Sequence, residues 1–260
     1  MFKKIALATA LVATASFATW DKFPVLENHK GQAQVGFAYN MPAEKVSQGI
    51  IYGGARFTVI PNLELGVKVP YTLFTSNDND GGAEPDGLGN IPLMIRYQFM
   101  PIMNVFVDVD LPVGDDEVVG WNDGLGLHAG VQYSQPFGMV NLGSELGFNM
   151  RTEGDNHHTP AYEINVGAEG DFAISQMITP YVGADVNIKV TNSEGEEPIT
   201  GKTVEDDDSG DMGLWIYLGG AFAINPMFTV DASFGFGLGD NYYGEDNTPM
   251  KVDVHLNINF

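Results

Sequence analysis

The chain has 260 residues, 34 acids against 12 lysines and arginines, a formal charge of −22 and no cysteine. That charge repels nucleic acid, and the missing thiols exclude a disulfide framework, a thiolate metal site and a lipid-bearing cysteine. Mean hydropathy near zero, with 32 glycines and 11% aromatics, suits a single all-β domain whose polar interior offsets an apolar exterior.

In chain order, Met1-Phe2-Lys3-Lys4 is basic, Ile5 to Val12 is apolar, and Ala13-Thr14-Ala15 or Ser16-Phe17-Ala18 offers small residues for cleavage. Residues 1–18 therefore read as a secretory signal peptide, its apolar run well short of the roughly 20 residues that span a bilayer as a helix. Losing Lys3 and Lys4 would take the charge from −22 to −24. Residues 19–30, with Trp20 and Phe23, read as a short periplasmic lead, outside the barrel or tucked into its mouth and too small to form a plug domain.

From Gly31 onward, alternating segments predict twelve strands at about 31–40, 48–60, 62–73, 87–100, 103–112, 123–134, 139–151, 160–174, 177–190, 212–224, 227–238 and 249–260. Short turns with Pro, Asn or Gly, such as Ile60-Pro61-Asn62 and Ile224-Asn225-Pro226, alternate with long polar loops at 41–47, 74–86, 113–122, 152–159, 191–211 and 239–248. This alternation requires an even strand number with both termini on the short-turn side. The expected fold is an all-β, transmembrane antiparallel β-barrel of about twelve strands over residues 31–260, both termini periplasmic, in the cell outer membrane.

The faces agree. Leu63, Leu65, Val67, Val69, Tyr71 and Leu73 alternate with Glu64, Gly66, Lys68, Pro70 and Thr72; in the closing stretch Val252, Val254, Leu256, Ile258 and Phe260 alternate with Asp253, His255, Asn257 and Asn259. Outward aromatics fall into two bands, Tyr39, Tyr71, Phe148 and Tyr162 near one edge and Tyr97, Phe99, Tyr133, Phe172, Phe222, Phe228 and Phe260 near the other, as at two membrane interfaces. Outer-membrane lipids are thus expected partners.

Two motifs carry a family resemblance. Asp86-Gly87-Leu88-Gly89-Asn90, leading to Arg96-Tyr97, and Leu111-Pro112-Val113-Gly114-Asp115, followed by Gly124-Leu125-Gly126, resemble the outer-membrane proteins named after the meta-pathway of phenol degradation. Asn90 stands where that family more often has Asp. The resemblance, clearest over the middle third, implies an outer-membrane barrel and transport of small, often hydrophobic compounds. Likeness to outer-membrane proteins generally also implies that Phe260 ends the signal read by the barrel-assembly machinery.

The strand register turns ten acids inward: Glu64, Asp108, Asp110, Glu145, Glu163, Glu169, Asp171, Asp185, Asp231 and Asp253. Arg56, Lys68, Arg96, Lys189 and Lys251 join them. These charges either form a selectivity surface in a wet pore or pair across a narrow lumen. The loops, with Asp123 at the edge of one of them, hold 22 of the 34 acids, so the outer face is strongly negative. Asp78, Asp80, Asp206, Asp207 and Asp208 are weak calcium candidates, because the full twelve-residue loop and its closing Glu are missing.

His157-His158 is a loop pair, and adjacent histidines seldom share one metal. His128 and His255 face the lumen, yet Ser134, Ser144 and Ser233 lie in no nucleophile motif. The sequence therefore points to a non-enzymatic channel or transporter for passive uptake of a small-molecule solute through a polar, net acidic lumen, without a cofactor. The alternatives are a non-conducting surface barrel whose acidic loops bind cations, lipopolysaccharide or a partner, using Gly120-Trp121 and Tyr242-Tyr243, and, third, an outer-membrane lipid hydrolase.

Overall fold

The computed structural model describes residues 20, 22–78, 84–155, 157–196, 203–245 and 247–260, so residues 1–18 lie outside it. Twelve long strands form one sheet: β1 (Gly31–Ala43), β2 (Val46–Ile60), β3 (Leu63–Asn77), β4 (Ile91–Met100), β5 (Met103–Leu111), β6 (Gly126–Phe137), β7 (Val140–Arg151), β8 (Glu163–Phe172), β9 (Ile178–Lys189), β10 (Met212–Ala223), β11 (Phe228–Leu238) and β12 (Met250–Asn259). All neighbours run antiparallel, and β1 pairs with both β2 and β12, so the sheet closes. Closure leaves no edge strand with open N–H and C=O groups, the condition for crossing hydrocarbon with strands.

Polarity is inverted relative to a soluble protein. Val35, Phe37, Ile51, Leu93, Tyr97, Leu146, Phe148, Val252 and Val254 are exposed, whereas Arg56, Glu64, Arg96, Gln132, Glu169, Asp231 and Asn257 are buried. The period of two puts these sets on opposite faces. The fold is that of an outer-membrane β-barrel.

The first and last residues of the sheet lie at the short-turn end, where Gly31 and Phe260 exchange backbone hydrogen bonds of 2.9 Å. Turns there need left-handed residues: Asn62 sits at φ 71° and Gly138 at φ 68°. At the opposite end the expected loop at 41–47 is corrected to a tight Glu44-Lys45 turn, with Lys45 at φ 62° and the ladder reaching Ala43–Val46. Strand β3 likewise runs to Asn77. Strand ends that pass beyond an apolar girdle carry polar side chains, so polarity alone reads them as loop.

The expected strand at 87–100 is broken. The β3–β4 ladder extends only from Leu63–Tyr97 to Val67–Leu93, while Gly87–Leu88 pairs separately with Tyr71–Thr72. Pro92 has no N–H to give, and the pairing resumes with a one-residue slip. Around the long-loop end, two one-turn helices, Asp116–Val119 and Asp240–Tyr243, and a small sheet of His158–Thr159, Glu194–Glu196 and Thr203–Glu205 top the barrel.

Candidate functional site

The candidate site is the lumen, and part of its lining precedes the first strand. The segment expected as a lead outside the barrel or at its mouth lies against the interior wall, with Trp20, Lys22 and Phe23 buried. Lys22 Nζ meets Asp185 at 2.6 Å and donates to the Tyr217 hydroxyl at 3.1 Å. Asn104 donates to the Phe23 carbonyl. The Val25 N–H reaches Gln98 Oε1, the Leu26 N–H reaches Glu64 Oε2 at 2.9 Å, and Thr58 donates to the Leu26 carbonyl. Interior polar groups on six strands (β2, β3, β4, β5, β9 and β10) thus satisfy a segment that has no sheet partner of its own.

The sequence-selected charges sit on the interior face, mostly in contact with opposite charge or hydroxyl donors. Arg96 forms a bidentate pair with Asp108, at 2.5 and 3.1 Å, and Arg56 lies 3.6 Å from Glu64. Arg151, which the register argument passed over, binds Asp110 at 2.5 Å and the carbonyls of Asn122 and Gly124. Gln132 donates to Glu145 at 2.6 Å, and His128 stands 3.4 Å from that carboxylate. Tyr217 donates to Glu169 and Tyr242 to Glu163. Lys68 lies 3.7 Å above the Tyr52 ring. Asp171 is 1% exposed. Charges taken from water this far are tolerated when paired and hydrogen-bonded.

One further network crosses the closing strand. Asp253 Oδ1 accepts from Tyr52 at 2.6 Å and lies 2.8 Å from His255 Nδ1. His255 is also 3.9 Å from Asp231, which accepts from Tyr181 at 2.8 Å. Tyr52, Tyr181, Asp253 and His255 border a chamber of about 280 Å³ that Trp20 also lines. Nearer the long loops a vestibule of about 530 Å³ is lined by Asp108, Asp110, Arg151, Glu163 and Tyr242.

The chamber's aromatics were not selected from the sequence, although parity held the signal: Tyr52 shares the face of Arg56, and Tyr181 that of Asp185. Each ring lies over a glycine directly across the ladder. Gly36 faces Tyr52, Gly183 faces Tyr217 and Gly219 faces Tyr181, and a Cβ at any of these glycines would overlap the ring. The missing side chain lets a large ring lie flat along the wall.

At the long-loop end Asp208 is occupied by protein groups. Lys189 Nζ reaches it at 2.8 Å, and the Ser193 N–H and hydroxyl donate at 2.7 and 2.6 Å. Burial pushes this carboxyl up, but those three contacts outweigh it and hold the pKa down at about 2. Asp206 and Asp207 are exposed, Asp78 begins the connection after β3, and Asp80 lies outside the described residues. Among the described residues no three acidic or histidine side chains converge as a metal site. His157 is raised by its hydrogen bond to Glu153 and then by the Glu196 charge. Ser144 donates to the Tyr133 carbonyl.

The two motifs behind the family resemblance meet. The Leu88 N–H donates to Asp115 Oδ2 at 2.7 Å, and the Asp115 N–H returns to the Leu88 carbonyl at 2.8 Å. Asn90 accepts from the Gly114 N–H and donates through Nδ2 to the Asn122 carbonyl. This block covers the slip between β3 and β4.

No protein-family model and no curated protein matches the sequence. Among solved structures, the chain is similar to the COG4313 outer membrane channel from Pseudomonas putida F1, at a TM-score of 0.70 and 12% identity over 94% of this chain and 100% of that one. It is also similar to the transport unit of the autotransporter AIDA-I from Escherichia coli, at 0.57 and 12% over 98% and 97%, and to NanC porin, at 0.54 and 6% over 87% and 98%. At these identities the likeness is one of fold: a single outer-membrane barrel, matched over nearly its whole length.

Proposed function

We propose that the chain is an outer-membrane channel for passive passage of small molecules, with its own N-terminal segment narrowing the lumen. One observation carries this reading: a closed wall, apolar outside and polar inside, encloses successive cavities of about 280 and 530 Å³. A barrel of twelve strands lies between the filled interior of eight and the aqueous pore of sixteen. The formal acidity of the lumen is offset locally by Lys22, Arg56, Arg96 and Arg151, so the solute is chosen by local groups more than by net charge.

The same reading puts the termini in the periplasm, a cleaved signal at residues 1–18, lipids on the apolar wall and the barrel-assembly machinery at Phe260. It favours the phenol meta-pathway outer-membrane family, because the two resembling motifs form one bonded block. No catalytic role is proposed for the lumen histidines, since His255 is held by Asp253 and Asp231.

Reconstitution in planar bilayers tests the proposal. The full exported chain gives a small unitary conductance, and deleting Trp20 to Leu26 raises it several-fold. Equal conductance in both forms removes the segment as the constriction. Silence in both favours a non-conducting surface barrel whose acidic loops bind cations, lipopolysaccharide or a partner.

A further inference from the structure

The short-turn end of the barrel presents apolar side chains where open water would favour polar ones. Ile60, Met100, Phe137, Met139, Ile174 and Met227, at least one in each of the five short turns, are half or more exposed. Residues 60–62, 100–102, 137–139, 173–177 and 224–227 include no Asp, Glu, Lys or Arg. Among the described residues, the exposed charges at this end are Glu27 and Lys30, just ahead of β1. Single apolar side chains at a surface need no explanation, but a ring of them around one end marks a surface that is covered.

Two observations say what covers it. The ring continues the outward wall: Ile174 and Ile224 take the next outward positions after Phe172 and Phe222, and all four are exposed. The strands, moreover, leave the turns nowhere else to be. At about 3.4 Å per residue and a tilt of about 40°, the nine residues of β5 stand about 24 Å tall and the 15 of β3 about 39 Å. The apolar band of an outer-membrane barrel is about 25 Å tall. Strand β5 therefore crosses it with its whole height, and the Met100-Pro101-Ile102 turn lies at the hydrocarbon boundary. The surplus of β3 lies at the other end, where the strand passes Tyr71 and runs on through Thr75, Ser76 and Asn77. No soluble partner is needed to cover side chains already within reach of lipid.

We propose that the short-turn face is a lipid-docking surface. Its Met, Ile and Phe side chains rest among the acyl chains and glycerol groups of the adjoining leaflet, so the barrel is flush with the membrane there and its surplus height stands at the long-loop end. An uncharged face gives up no ion hydration on entering that layer, and unbranched methionines adapt to fluid lipid. The inference rests on the reading that lipid covers the apolar wall, and a wall position in the same experiment separates the two.

The chain has no cysteine, so Met139→Cys and Met227→Cys each place one thiol in a short turn, Leu146→Cys one on the wall and Glu117→Cys one in a long loop. Each full exported chain is spin-labelled at that thiol and placed in nanodiscs of phosphatidylethanolamine and phosphatidylglycerol. Collisions of the label are read with dissolved oxygen, which concentrates in hydrocarbon, and with a water-soluble nickel chelate. Retained heat-modifiability shows that each variant is still a closed barrel. The turn positions are expected to match Leu146, with nickel collisions several-fold below those at Glu117 and oxygen collisions above them. Turn positions that match Glu117 while Leu146 stays protected overturn the proposal, leave the lipid-covered wall standing and assign the ring to a protein partner. Leu146 matching Glu117 as well removes the lipid-covered wall and the proposal together.

Discussion

The Arg96–Asp108 pair illustrates how the interior is held at the level of single residues. The guanidinium side chain is 4% exposed and grips both carboxylate oxygens, and it also lies 5.5 Å from the Phe106 ring. Removing one member of a buried pair strands the other, at a cost of about 3–5 kcal/mol, while replacing both by neutral groups of similar size is far cheaper. Arg96→Met is therefore expected to lower barrel stability by about 3 kcal/mol, with Arg96→Met plus Asp108→Asn recovering most of it. Urea unfolding in micelles, followed by tryptophan emission, checks both; equal losses in the single and double variants would show that packing, not charge, dominates. Parity places these charges on one face in the sequence. Their partners are not legible there, because Arg151 reaches Asp110 across forty-one positions, over Gly126 on the strand between them, and only the register of three strands sets that distance.

At the level of elements, the described parts of the connection between β9 and β10, residues 190–196 and 203–211, form a folded cap. Asp208 anchors it through Lys189 at the end of β9 and through Ser193. Its carboxyl, ordinarily near 3.8, is held at about 2 in the folded chain, so the tether contributes fully above about pH 4 and is lost as pH falls towards about 2. Acidification through that window is expected to free the connection, and Asp208→Asn should free it at neutral pH, each read as faster proteolysis within 203–211 with the barrel intact. Protection unchanged in Asp208→Asn would assign the anchoring to the small sheet instead. Aspartates 206 to 208 read in sequence as a run of acids. Which one is used depends on where Lys189 and Ser193 come to lie, and no local pattern reports that.

At the scale of the whole molecule, the twelve strands were legible because hydrocarbon and water impose opposite demands on alternate residues, a constraint written at every second position from Gly31 to Phe260. The N-terminal segment carries no such period. Its partners Gln98, Asn104, Glu64 and Asp185 come from separate strands, so its place inside the wall exists only once the sheet has closed. That arrangement has a topological consequence. Leu26 lies by Glu64 and Thr58, while Trp20, further in, borders the chamber with Tyr52 and Lys68. Followed back from Leu26 to Trp20, the described backbone therefore runs into the lumen from the short-turn end. A folded tag fused ahead of Trp20 cannot follow it through, and such a fusion is expected to show the raised conductance of the Trp20–Leu26 deletion.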